Sequence, residues 1–171
     1  GNLREPASQW IRADAIIVTK ANISSPDAVS EILKKELKVT CPVFNFNFEV
    51  QGFYRLDGED RQQIQHLAGK NLVTVSGIAQ PDGFRKMLEN LEGTLIGNLE
   101  FADHHDYSIN DVHKILKKQD ELKPDYIVTT EKDAVKLRQF SELSNSIWIL
   151  EIEVHPEESW NAFFDKFLDT L

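Results

Sequence analysis

Asp103, His104, His105 and Asp106 follow one another directly in this 171-residue chain. An imidazole takes or gives a proton near neutral pH, and an adjacent carboxylate can orient it and raise its basicity. The same residue types ligate divalent metals. However, neighbours at i and i+1 rarely aim at one ion, so a zinc site here would need ligands from elsewhere. The alternative is a polar loop whose carboxylate caps a helix starting near Ser108. A second polar cluster is Thr129-Thr130-Glu131-Lys132-Asp133. Thr130 suits a helix N-cap and Asp133, three residues on, a capping-box-like partner. Glu131 and Asp133 also suit the positive end of a helix dipole. Lys132 does not, because a cation is disfavoured there; it fits a ligand phosphate or an ion pair.

Each cluster directly follows an apolar run. In an alternating strand–helix chain, residues just beyond the strands gather at one sheet edge, where such folds bind ligands. The alternation itself is legible. Ala15–Thr19 is a short apolar run, expected to be a strand buried on both faces. Ser25-Pro26 reads as an N-cap and first helical residue, and Ala28, Val29, Ile32, Leu33 and Leu37 follow at helical spacing. Val43–Phe48 alternates as a strand with one polar face. Residues 49–70 are irregular, with Phe53–Leu56 a candidate strand ended by Asp57-Gly58. From Asn71 the order is regular. Strands are expected at Leu72–Val75, Thr94–Phe101, Tyr126–Thr129 and Ile147–Val154. Helices carry Phe84, Met87, Leu88 and Leu91, then Ile109, Val112, Ile115 and Leu116, then a short run from about Glu131, then Trp160 to Leu171. The expected fold is a single α/β domain over residues 1–171, Rossmann-like, with a mostly parallel sheet and helices on both faces.

Other features carry less. Gly77-Ile78-Ala79-Gln80-Pro81 can set a tight turn and start a helix. Its backbone N–H groups could also hold an anion, yet one glycine is no dinucleotide fingerprint. Arg4 and Glu5 lie before the first strand; a glutamate there could reach a hydrated magnesium, and the pair equally fits a surface ion pair. The last helix has an aromatic stripe, but Glu157, Glu158, Asp165 and Asp169 make its polar side the wrong sign for anionic lipid, so core packing is expected. Lys114, Lys117 and Lys118 form a small basic face. His66, His113 and His155 have no partner pattern. The net charge of −9 argues against a general nucleic-acid binder. The lone Cys41 excludes an internal disulfide and fits a reducing compartment. No run approaches the length of a membrane span. The G-x-x-x-x-G-K-[ST], G-x-S-x-G and CxxC motifs do not occur in the chain.

Taken in order, Gly1–Pro6, Arg12–Thr19, Gly77-Ile78…Pro81 with Phe84, Phe101–Tyr107 and Thr129–Leu137 resemble the C-terminal part of tetraacyldisaccharide 4'-kinases, the lipid A 4'-kinases of Gram-negative bacteria. The resemblance spans essentially the whole chain. It implies transfer of the ATP γ-phosphoryl group, with Mg²⁺, to the 4'-hydroxyl of an acylated glucosamine disaccharide 1-phosphate, giving lipid IVA. It assigns His104 to activation of the sugar hydroxyl together with an aspartate outside this region, and Asp103 as its companion. It places Glu5 near the metal and phosphates, with Arg4 beside it, and has Lys132 help shape the crevice between domains, both Arg4 and Lys132 counted as cofactor-binding. In that family a P-loop domain and a membrane-associating segment lie upstream. The expectation is therefore a C-terminal piece, inactive alone, working on the cytoplasmic face of the inner membrane. Two other readings stay open: a non-catalytic nucleotide- or partner-binding α/β module, and a DHH-type phosphoesterase suggested by Asp103-His104-His105. The latter family needs several aspartate motifs around two metals, and only one is present here.

Overall fold

The computed structural model describes residues 7–19, 33, 35 and 40–170. The helix expected over residues 25–37 lies outside the described residues. The chain divides into two compact units, one being Val50–Ile152 and the other joining the residues up to Glu49 with those from Glu153. In the smaller unit, β1 (Ile16–Thr19) pairs in parallel with the start of β2 (Val43–Arg55), Ile16 opposite Val43 and Thr19 opposite Phe46. Among the described residues β1 ends the strand order; its burial alternates and Ile17 is 43% exposed, contrary to a strand buried on both faces.

In the larger unit the strand order is β2, β7 (Ile147–Pro156), β6 (Tyr126–Thr130), β4 (Asn71–Ser76), β5 (Thr94–Glu100), and β3 (Arg61–Gln62) pairs antiparallel with β2. The β4–β5, β4–β6 and β6–β7 pairs are all parallel. The irregular stretch after residue 49 is therefore a continuation of β2 and a hairpin. Gly52 breaks the hydrophobic alternation there, standing where the apolar face of Phe44, Phe46, Phe48 and Val50 would continue. A Cβ on Gly52 would lie 3.0 Å from the Gln62 carbonyl oxygen, so the close approach of β3 accounts for the glycine. Gly58 turns the chain at a φ of 83°.

The period of two sorts each strand onto two helical layers. Val73, Val75, Ile127, Ile147 and Ile149 cluster with Val112 and Ile115 of α2 (Ile109–Leu122) and with Ala134 and Leu137 of α3 (Glu131–Leu137). Leu72, Val128 and Leu150 face the other way, onto Phe84 and Leu88 of α1 (Pro81–Asn90). The fold is α/β and Rossmann-like, with a mostly parallel sheet and helices on both faces, as the sequence implies. Pro81 starts α1, where its missing N–H costs nothing.

The final helix, α4 (Glu158–Leu168), belongs to the smaller unit and buries no residue completely. Trp160 meets Phe44 edge-on at 5.2 Å and Phe163 lies 4.9 Å from the same ring. Phe164 and Leu168 remain 40% and 50% exposed, so core packing covers one side of the aromatic stripe only.

Leu88 is fully buried between α1 and the sheet. Leu88→Ala is expected to cost about 2–5 kcal/mol in chemical denaturation. The adjacent exposed Glu89→Ala should stay within about 0.5 kcal/mol.

Candidate active site

Because β4, β5 and β6 run parallel, the chain leaves all three at one edge. Gly77 follows β4, residues 101–108 follow β5, and Thr130 closes β6. The two polar clusters meet there: Lys132 Nζ donates to Asp103 Oδ1 at 2.7 Å. That bond explains the cation in the first turn of α3, and it holds the Asp103 carboxyl below the usual aspartate range. Thr129 Oγ1 donates to the Val75 carbonyl at 2.8 Å, a further tie between β6 and β4.

His104 stands at the edge with its side chain 76% exposed. Its φ is 61°. Among the described residues, two other non-glycine residues share the left-handed region, Lys123 and Glu92, and both close helices. His104 closes none; it lies in the loop between β5 and α2. Its N–H donates to the Gly77 carbonyl at 3.2 Å, and its own carbonyl accepts from Lys136 Nζ at 2.7 Å. Lys136 Nζ also donates to the His105 carbonyl at 2.8 Å and to Asp106 Oδ1 at 2.9 Å. This contact lowers the Asp106 carboxyl from its ordinary value. The nearest Asp103–His104 side-chain approach is 3.8 Å, too long for a hydrogen bond, which leaves the imidazole open to an incoming group.

Beneath the loop lies Asp133, 2% exposed. Its Oδ2 accepts from the Gly77 N–H at 3.1 Å and from the Thr130 hydroxyl at 2.7 Å, and its Oδ1 from the Tyr107 hydroxyl at 3.0 Å. The Asp133 N–H returns to Thr130 Oγ1 at 3.2 Å, the expected N-cap. Burial first, then the charge of Asp133, pushes the Tyr107 phenol well above its ordinary pKa, so it stays a donor. The sequence shows Asp133 only as a helix-capping residue; nothing in its spacing reveals bonds to Gly77 and Tyr107. Lys136 was likewise invisible as the residue that fixes the loop carbonyls.

The helix cap expected from the histidine cluster is supplied by other residues. Asp111 Oδ2 accepts from the Ser108 N–H at 3.1 Å and its hydroxyl at 2.7 Å. Asp111 also binds Lys114 Nζ at 2.7 Å and His105 Nε2 at 3.1 Å. His105 stacks on Phe101 with centroids 4.7 Å apart. The adjacent histidines thus diverge: His105 packs into the fold, and His104 faces outward. Among the described residues no group of three or more His, Cys, Asp or Glu is placed to hold a metal. Arg4 and Glu5, the other two site candidates, lie outside the described residues.

The model of the tetraacyldisaccharide-1-P 4'-kinase family (LpxK) matches residues 1–169. The chain belongs to this family. It is 35% identical over 154 residues to a tetraacyldisaccharide 4'-kinase of Bdellovibrio bacteriovorus, covering 90% of this chain and 45% of the relative. A kinase of the same description from Syntrophus aciditrophicus is 33% identical over 170 residues, covering 94% of this chain and 46% of that one. Among solved structures, the "apo" form of LpxK from Aquifex aeolicus in complex with ATP superposes with a TM-score of 0.58 at 25% identity. That match covers 95% of this chain and 44% of that one. The chain therefore spans a little under half the length of these tetraacyldisaccharide 4'-kinase relatives.

The hydrogen bond from Lys114 leads the contacts that hold Asp111 far below the normal carboxylate range. A depressed native pKa stabilises the fold above the unfolded value, about 4 for aspartate, and that contribution is lost as pH falls through the native value. Asp111→Asn should therefore destabilise near neutral pH, with the difference from the unsubstituted chain shrinking below about pH 4. Denaturation midpoints measured from pH 7 to 3 check this.

Proposed function

We propose that this chain is the C-terminal part of an ATP-dependent kinase that phosphorylates the 4'-hydroxyl of a tetraacyldisaccharide 1-phosphate to give lipid IVA. The observation that carries the reading is the exposed, backbone-fixed imidazole of His104 at the carboxyl edge of the parallel strands, beside the Asp103–Lys132 pair. His104 accepts the proton of the 4'-hydroxyl. The 4'-oxygen then bonds to the γ-phosphorus as the bond to the ADP leaving group breaks. An aspartate of the upstream part of the kinase assists this base. Asp103 keeps the cation of Lys132 at the rim, where it can face a phosphate of ATP as the crevice closes.

Magnesium, when bound, would supply positive charge against the developing charge of the phosphates. Such an ion takes one or two carboxylates plus water and phosphate oxygens. Asp103 is already committed to Lys132, so the described rim is no metal cage; we assign the protein ligand to Glu5, with Arg4 beside it, on sequence alone. With no P-loop in its 171 residues, the chain by itself should not transfer phosphate. Membrane contact, at the cytoplasmic face of the inner membrane, is assigned to the upstream part. Among the described residues no helix is long and apolar enough to cross a bilayer.

In the whole kinase assayed with ATP–Mg²⁺ and the disaccharide, His104→Ala is expected to reduce turnover about 10²-fold or more, the scale of a lost general base. Turnover close to normal in that folded variant would remove His104 from the reaction.

A further inference from the structure

We infer that Asp133 is a positioning residue for His104, acting through the Gly77 peptide. The inference rests on the reading of His104 as the base. The link is a two-step relay within the larger unit. The Gly77 N–H is held by Asp133 Oδ2 at 3.1 Å, and the Gly77 carbonyl accepts the His104 N–H at 3.2 Å. One peptide plane thus transmits the placement of a buried carboxylate to the backbone of the exposed histidine.

Three features set this apart from ordinary helix capping. First, a cap needs only Thr130 and the Asp133 N–H, at 3.2 Å; the carboxylate has further partners after two other strands. Second, Tyr107 closes the same loop from its far end, its hydroxyl 3.0 Å from Asp133 Oδ1, so both flanks of His104 are tied to one side chain. Third, Gly77 is packed tightly, so that any side chain there would press on its neighbours. A Cβ there would lie 3.0 Å from Asp133 Oδ1 and 3.2 Å from both the Ala102 carbonyl oxygen and the Tyr107 hydroxyl. The close packing keeps the peptide in register between carboxylate and histidine. His104 needs such support, because a left-handed φ disfavours a residue with a side chain.

The test is a double-mutant cycle in the whole kinase, measuring kcat and the KM for ATP. Four proteins are compared: the unsubstituted enzyme, His104→Ala, Asp133→Asn and the double variant. Asp133→Asn should lower kcat about 10-fold or more and move the KM for ATP less than about 2-fold, since loosening a reacting group costs turnover and not ATP binding. Added to His104→Ala, it should lower kcat less than about 2-fold further, because the residue it positions is gone. A general structural defect would instead reduce both backgrounds alike. Such an additive loss overturns the inference, as does an unchanged kcat in Asp133→Asn. If Asp133→Asn does not fold, Tyr107→Phe carries the same cycle, with an expected loss of about 3-fold that vanishes in the His104→Ala background. Near-normal turnover in His104→Ala alone is the separate failure of the base reading, and it takes the inference with it.

Discussion

A carboxylate removed from water must find donors, or it costs several kcal/mol. Asp133 meets that requirement with an amide, a phenol and a hydroxyl drawn from the ends of three different strands. Hydrogen bonds to a charged group each contribute roughly 1.5–3 kcal/mol, and the geometry tolerates little displacement of any donor. Meeting the needs of one buried group therefore fixes the crossovers after β4, β5 and β6 against one another. The loop carrying His104 inherits its position from that constraint. Lys136, one turn further along α3, is bonded to two of the loop's carbonyls and holds it as well.

The division of labour between the two histidines follows from the same frame. His105 is stacked on Phe101 and bound to Asp111, contributions that belong to folding. His104 is turned outward by a backbone conformation that costs about 1–2 kcal/mol for a residue with a side chain. That cost is met by bonds to Gly77 and Lys136, and the resulting imidazole is free of side-chain hydrogen bonds to Asp103. An open ring on a rigid loop suits proton transfer to or from a substrate better than it suits a structural role.

Much of this was legible in the residues. Short apolar runs in Leu72–Val75 and Tyr126–Thr129, and helical spacing in Phe84–Leu91 and Ile109–Leu116, are local signals that burial enforces. They gave the α/β alternation, and the alternation gave the convergence of residues 103 and 132. What stayed hidden depends on partners distant in sequence. Asp133 announces its cap to Thr130, three residues away, but not its bonds 56 residues back to Gly77 or 26 back to Tyr107. β2 was cut short because Gly52 interrupts its pattern, and the approach of β3 accounts for that glycine. The exposure of Phe164 and Leu168 could not be read from helical spacing, which marks a stripe without saying how much of it is covered.

The most direct test of the account is a crystal structure of the whole kinase with the acceptor disaccharide and a non-transferable ATP analogue. A ring nitrogen of His104 within about 3.2 Å of the 4'-oxygen, on a loop still bound through Gly77 to Asp133, is the predicted result. An acceptor whose 4'-oxygen sits against a different base, with the His104 ring turned to solvent, would contradict it.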